Sequence, residues 1–405
     1  MFHIEAMRIL MLSKALIVGA YQKKAEELAK IPGVELIVVV PPSWREPEVG
    51  EQVLEPRFTD GYRLEVLPIR FNGRHHIHYF PTIGRLVARL RPDVFHIDEE
   101  SFNFATYLAM RAGLRYGARC CFYNWATIDH YYPPPFSLFE RYAFRHAAHA
   151  IAGAEEAAAI IRKHGYRGPL SVLPQFGVDP ALFAPTNERR KTEDEGSRIE
   201  DGRSSRHELR SSILDPRSSD SPSSFVVGYL GRLVAQKGLL DLVETLPLLP
   251  PHVRIRLIGD GALRPHIEAR AAELCVRERV DLIPWTNDVP GELRRLDALA
   301  LPSRTTPTWK EQFGRVLIEA MSCGVPVVGS SSGEIPQVIG EGGLVYPEGD
   351  IAALAAALRR LADDPALHNE LGRRGRARVL EHYTQAALAR RYYDIYRSML
   401  ANPHE

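Results

Sequence analysis

The strongest constraint on this chain is a stretch too poor in apolar residues to build a core. Residues 186–224 hold 10 Ser, 8 Lys or Arg and 9 Asp or Glu in 39 positions, with only four large apolar residues, too few to bury a core. Arg-Ser-Ser recurs at 203, 210 and 217, a seven-residue spacing that suits a heptad helix. Pro216, Pro222 and the density of serine favour a disordered, inserted linker instead. The chain must then fold as two bodies, 1–185 before the break and 225–385 after it, and its 405 residues are enough for two domains.

Both flanks alternate short β-rich runs with amphipathic segments, the pattern of parallel α/β folds. Before the break, strands are expected at 8–12, 35–40, 93–97 and 120–123, with a last strand in 168–174. Helices are expected near 23–30, 82–90, 103–116, 139–149 and 154–164. The run Asp93-Val94-Phe95-His96-Ile97 ends in Asp98-Glu99-Glu100, which puts polar groups at the C-terminal edge of a strand. After the break, strands are expected at 225–230, 254–258, 280–283, 299–301, 326–329 and 343–346. Helices are expected near 238–245, after the glycines of 259–261 to about 275, and near 351–361, 369–382 and 385–399. Two doubly wound domains result, with a closing C-terminal helix, 386–405, packing back on the first.

Composition excludes several classes. Lys and Arg number 51 against 50 Asp and Glu, a net charge of +1, so nothing draws the whole chain to nucleic acid. Cys120, Cys121, Cys275 and Cys323 match neither a metal pattern nor a secreted disulfide framework, and a reducing cytoplasm is expected. The apolar run at 9–12 is short and reads as a first strand rather than a signal peptide. No stretch reaches the ~18 apolar residues of a spanning helix.

Two segments carry the chemistry. Residues 231–238, Gly-Arg-Leu-Val-Ala-Gln-Lys-Gly, lie between a strand and a helix. A glycine turn there exposes backbone amides to an anion, and Arg232 and Lys237 add charges suited to a diphosphate. The same residues also suit a helix cap with two solvated cations. In 309–339, Glu311 and Glu319 stand eight positions apart, and Gln312-Phe313-Gly314 predicts that a helix begins between them. A loop carboxylate beside helix-start amides can bind sugar hydroxyls, and one a turn deeper can hold a ribose diol. Taken alone, the pair also reads as a helix-start acid plus a surface acid.

Together with Gly259-Asp260-Gly261, and with Gly177-Val178-Asp179 followed by Phe183, these segments resemble the signature set of the family 4 retaining glycosyltransferases of GT-B fold. The resemblance runs in order along nearly the whole chain outside 186–224. It implies two Rossmann-like domains facing a cleft, a nucleotide-sugar donor as co-substrate, and no metal cofactor. Donor binding would fall to Gly231, Arg232, Lys237, Gly259, Gly261, Glu311, Phe313, Gly314 and Glu319. Arg232 and Lys237 would hold the diphosphate, Glu311 with the backbone of Phe313 and Gly314 the sugar, and Glu319 the ribose; residues 282–285 would lie near the base. Glu311, Arg232 and Lys237 are the implied catalytic residues.

The N-terminal half departs from that pattern. The first loop has one glycine, Gly19, where two are typical, and Asn124-Trp125 stand where many relatives have a histidine. His149 and Gly153 replace an Asp and a Ser. Gly19, Asn124, Trp125 and His130 are the candidates for the acceptor side. Arg70, Arg74, His75, His76 and His78, with Lys14, Lys23 and Lys24, suit a solvated loop or a face for anionic lipid or a lipid diphosphate.

The reading that results is a cytoplasmic hexosyltransferase, in peripheral contact with the inner membrane face. It would move a sugar from a UDP- or GDP-sugar to a sugar or lipid-linked acceptor in polysaccharide or glycolipid biosynthesis. The alternatives are a nucleotide-sugar epimerase of the same fold and a non-catalytic nucleotide-sugar-binding protein.

Overall fold

The structure is a computed structural model and describes residues 6–46, 50–185 and 224–401. Apart from Ser224, the 186–224 linker lies outside the described residues. Two compact units form: 1–177 with 308–313 and 381–405, and 178–307 with 314–380. The first unit thus ends at Gly177 rather than 185, and it takes in the short segment that carries Glu311 and Phe313.

In the first unit seven strands pair in parallel in the order β5-β2-β1-β6-β7-β8-β9. The strands are β1 Met7–Leu12, β2 Val34–Val40, β5 Arg63–Val66, β6 Val94–Ile97, β7 Arg119–Asn124, β8 His149–Ala152 and β9 Leu170–Val172. Successive side chains of a strand point to opposite faces, and here both faces are buried. Leu10, Leu12, Phe95, Ile97 and Phe122 join one core, while Ile9, Met11, Val94, Cys121 and Tyr123 join another. Such strands read as unbroken apolar runs, as parallel sheets require. The helix Gln385–Ala401 lays Leu388, Tyr392, Tyr396 and Met399 on the second core.

The second unit has six parallel strands in the order β12-β11-β10-β13-β14-β15. These are β10 Phe225–Leu230, β11 Val253–Ile258, β12 Val280–Ile283, β13 Ala298–Leu301, β14 Val327–Ser330 and β15 Gly343–Tyr346. Each sheet grows outward from its first strand, one way and then the other. The order therefore reverses between β1 and β6 in one unit and between β10 and β13 in the other. Ligands of doubly wound folds lie beyond the C-terminal ends of the strands at such reversals.

Several elements differ from the sequence reading. β5 and the antiparallel hairpin of β3 Ser43–Glu46 with β4 Gly50–Val53 were not expected. These are short edge segments with mixed polarity and no clear period. The helix expected at 139–149 is Phe136–His146, starting behind Pro133-Pro134-Pro135, and His149 opens β8 instead. β8 is four residues of an alanine-rich run, too short for its period to separate strand from helix. The short helices Val289–Leu293 and Ile335–Ile339 also escaped the pattern. Among the described residues no helix is long and apolar enough to cross a membrane.

Candidate functional site

In the second unit the site is built by glycines. Two loops, one after β10 and one after β11, are laced backbone to backbone: Gly231 N–H donates to Ile258 O at 3.0 Å, Leu233 N–H to Asp260 O at 2.9 Å and Leu263 N–H to Leu233 O at 2.9 Å. At Gly259, φ is +142° and a Cβ would stand 2.0 Å from Gly231 O. At Gly261 it would stand 2.2 Å from Leu233 O, and at Gly238 1.9 Å from Pro302 O. Only glycine permits this approach together with these dihedrals. Arg232 is exposed and Lys237 half-buried on this laced edge. Arg304 fastens the loop after β13 beneath it, with two hydrogen bonds to Asp241 at 2.6 and 2.7 Å. Trp285 is exposed in the loop after β12, its backbone N–H donating to Asp260 Oδ2 at 3.2 Å.

Gly314 takes the left-handed conformation (φ +72°) and caps the helix Arg315–Ser322, so the helix begins between the two carboxylates. Glu319 is buried on that helix, 2.8 Å from Arg315. Burial raises its carboxyl above the ordinary value against the pull of Arg315. Glu311 is buried and Phe313 lies edge-on to Tyr383 at 5.7 Å, both in the first unit. The expected donor set is therefore divided between the units.

In the first unit the β1/β6 reversal is filled with buried charge. Lys14, just past β1, pairs with Glu99, just past β6. Glu99 also lies 3.3 Å from His78 Nε2 and accepts from Asn103 Nδ2 at 3.2 Å. Burial pushes the Glu99 carboxyl up, but Lys14 and His78 more than reverse this and hold it at about 2. The Lys14 ammonium lies 5.4 Å from the Trp44 ring and 5.5 Å from that of Trp125. Beside this network is a cavity of about 270 Å³ whose lining includes Lys14, His75, His76, Glu100, Trp125 and His130, together with Trp309, Lys310 and Gln312.

Of the four acceptor-side candidates, Trp125 and His130 line this cavity and the other two do not. Asn124 is buried and committed to structure, accepting from Ser101 N at 2.8 Å and donating to Ser101 Oγ at 3.1 Å. Gly19 is buried in a 3₁₀ turn, where a Cβ would meet that of Arg57 at 2.8 Å. The solvated-loop reading fails for His78, which is fully buried on Glu99. His149 is buried and bonded to Ser171 Oγ at 3.0 Å, and burial lowers it to about 4. Glu99, Glu100 and Lys310 were not among the site residues expected, and Lys14 was expected only beside a solvated or lipid-facing loop. The run Asp98-Glu99-Glu100 at the end of an apolar strand was the available signal, since acids at that edge are buried only with partners.

Two family models match consecutive parts of the chain, "Glycosyltransferase Family 4" over 23–206 and "Glycosyl transferases group 1" over 214–378. The chain belongs to the family 4 glycosyltransferases. Among curated relatives, the lipopolysaccharide core biosynthesis glycosyltransferase LpsE of Rhizobium meliloti is 31% identical over 193 residues, 47% of this chain and 54% of that one. The N-acetyl-alpha-D-glucosaminyl L-malate synthase of Bacillus anthracis is 30% identical over 184 residues, 44% of this chain and 47% of that one. The matches thus span about half the length of these relatives. Among solved structures, Anabaena HepE in complex with UDP aligns with a TM-score of 0.68 at 17% identity, covering 97% of this chain and all of that one. Sucrose-phosphate synthase from Thermosynechococcus elongatus aligns at 0.67 and 19%, covering 98% and 99%. At these identities the likeness establishes the fold, which is GT-B.

Proposed function

We propose that this protein transfers a sugar, with retention of configuration, from a UDP- or GDP-sugar to a sugar or lipid-linked acceptor in the assembly of a cell-surface polysaccharide or glycolipid. The observation that carries the reading is the glycine-laced edge of β10 and β11 with Arg232 and Lys237 upon it. Backbone that close packed and that rigid is suited to a diphosphate, which bulkier residues would hold off. Arg232 and Lys237 neutralise the diphosphate, Glu311 with the backbone of Phe313 and Gly314 selects the sugar hydroxyls, Glu319 holds the ribose and 282–285 borders the base. HepE has been solved with UDP and with UDP-glucose, which supports a uridine donor. LpsE, named for lipopolysaccharide core biosynthesis, supports a cell-surface product.

In the transfer, an acceptor hydroxyl oxygen bonds to the anomeric carbon on the face from which the diphosphate departs. The carbon–phosphate-oxygen bond breaks, and the hydroxyl proton passes to the departing diphosphate. Charge grows on that diphosphate as the bond lengthens, so fixed cations beside it stabilise the transition state more than the ground state. The protein works in the cytoplasm, in peripheral contact with the inner membrane face. The reaction needs no metal, and EDTA should leave its rate unchanged.

A thermal-shift screen against UDP- and GDP-sugars tests the donor, since a ligand at about 100 times its dissociation constant adds about 2.7 kcal/mol of stability. Release of nucleoside diphosphate on adding acceptor then separates transfer from epimerisation or mere binding. A protein stabilised by no sugar nucleotide would sink the reading.

A further inference from the structure

Three consecutive acids follow β6, and the fold uses each differently. Asp98 accepts from Ser13 Oγ at 2.6 Å and from Gln175 Nε2 at 2.9 Å. Glu99 is held by Lys14, His78 and Asn103. Glu100, also buried, accepts with Oε1 alone, from the N–H of Trp125 at 3.0 Å and of Ala126 at 3.1 Å, while its buried Oε2 has no hydrogen-bond partner. When the carboxyl is protonated, Oε1 remains the acceptor of these two backbone N–H groups and the acid proton sits on Oε2 as a donor. Burial raises Glu100 to about 8, against the pull of the Trp125 N–H and Lys14.

Glu100 belongs to the lining of the 270 Å³ cavity, which is just smaller than the ~300–1,000 Å³ usual for ligand sites. Both lysines in its walls are paired. Lys14 is paired with Glu99, and Lys310 with Glu156 at 2.7 Å. His75 and His76 are held below their ordinary value by burial and by the neighbouring positive groups. Trp125 and Phe102 supply aromatic surface, with Phe102 stacked on Tyr132 at 3.9 Å. A small site with aromatic walls, a fixed donor and both lysines already paired suits a hydroxyl-bearing ring better than a phosphate.

We infer that this cavity holds an uncharged glycosyl unit of the acceptor and that Glu100 Oε2–H donates a hydrogen bond to one of its hydroxyls. The inference rests on the transferase reading above. The groups facing Glu100 are Glu99 beside it, Lys14 from the β1 loop, and Tyr123 and Tyr132, whose phenols burial keeps protonated. Glu100 is therefore the group whose ionisation removes the donor as pH rises past 8. Glutamine copies the neutral acid, with a carbonyl for the two N–H groups and an amide N–H in place of the acid proton, and it does not ionise.

Saturation-transfer NMR with the methyl glycosides of glucose, galactose, mannose and N-acetylglucosamine, each beside its 6-phosphate, tests the site, with melting temperatures confirming that each variant folds. At least one uncharged glycoside should bind better than its phosphate. Glu100→Leu should weaken it tenfold or more, while Glu100→Gln stays within threefold. The wild-type affinity should fall above pH 8, as should that of His130→Gln, while that of Glu100→Gln stays level. Preference for the phosphates, no glycoside binding, or a Glu100→Gln loss as large as that of Glu100→Leu would overturn the inference. Sugar-nucleotide thermal shifts run on the same samples keep the two readings apart. If the donor shift survives while glycoside binding fails, only the inference falls; if the donor shift is absent, the transferase reading falls.

Discussion

The two sheets reverse their strand order in the same way and equip the reversal by opposite means. In the second unit the edge is made of backbone: Gly231, Gly238, Gly259 and Gly261 let loops approach closer than any side chain allows. In the first it is made of buried side chains: Lys14, His78, Glu99 and Glu100 arrive from separate segments and are held by one another. A backbone site is rigid and takes its charge from the ligand and a few cations. A side-chain site carries its own charges, whose balance sets which ligand it accepts.

If this contrast is right, a single truncation should hurt the first unit most. Lys14→Met takes the ammonium from the buried Glu99 carboxylate and leaves it only His78 and Asn103, a loss of about 3–5 kcal/mol in chemical denaturation. The sign of the pH dependence is fixed by Glu99, which is held at about 2 in the fold. Its contribution is complete above the unfolded value of about 4.3 and is lost as pH falls toward 2. The gap between wild type and variant should therefore be widest near neutrality and narrow in acid. A constant gap would mean that Lys14 acts by packing alone.

Next comes the backbone edge. Gly259→Ala forces a positive φ costing about 1–3 kcal/mol and drives a methyl into Gly231 O. A lower melting temperature with weakened sugar-nucleotide binding is expected, and unchanged donor affinity would break the link between lacing and binding. Lys237→Ala should leave stability near wild type and weaken donor binding by about 1.5–3 kcal/mol, read by calorimetry. An unaltered dissociation constant would remove Lys237 from the diphosphate. The smallest effect is expected at Trp285, whose truncation to alanine should move stability by no more than about 0.5 kcal/mol. The loss should appear instead as a weaker preference among nucleoside bases, and equal affinity for every base in both proteins would take 282–285 out of the site.

The contrast also explains which parts could be read in advance. Gly231, Gly238, Gly259 and Gly261 mark themselves because a glycine between a strand and a helix has few other reasons to be there. The helix start at Gly314 was legible for the same reason. Asn124 stands at the strand end where the sequence put it, but nothing in the sequence reveals that Ser101 takes up its side chain. His78 looked like one histidine of a solvated loop, because its partner Glu99 is remote in sequence and meets it only in the fold.

By itself the sequence determined the two α/β series, the direction in which their strands end, and the glycine turns at those ends, since period, length and backbone freedom are local properties. Only the tertiary structure decided which of Asp98, Glu99 and Glu100 is spent on structure and which keeps an oxygen for a ligand. Their chemistry is nearly identical. Burial and partners brought from distant segments give one a pKa of about 2 and its neighbour one of about 8.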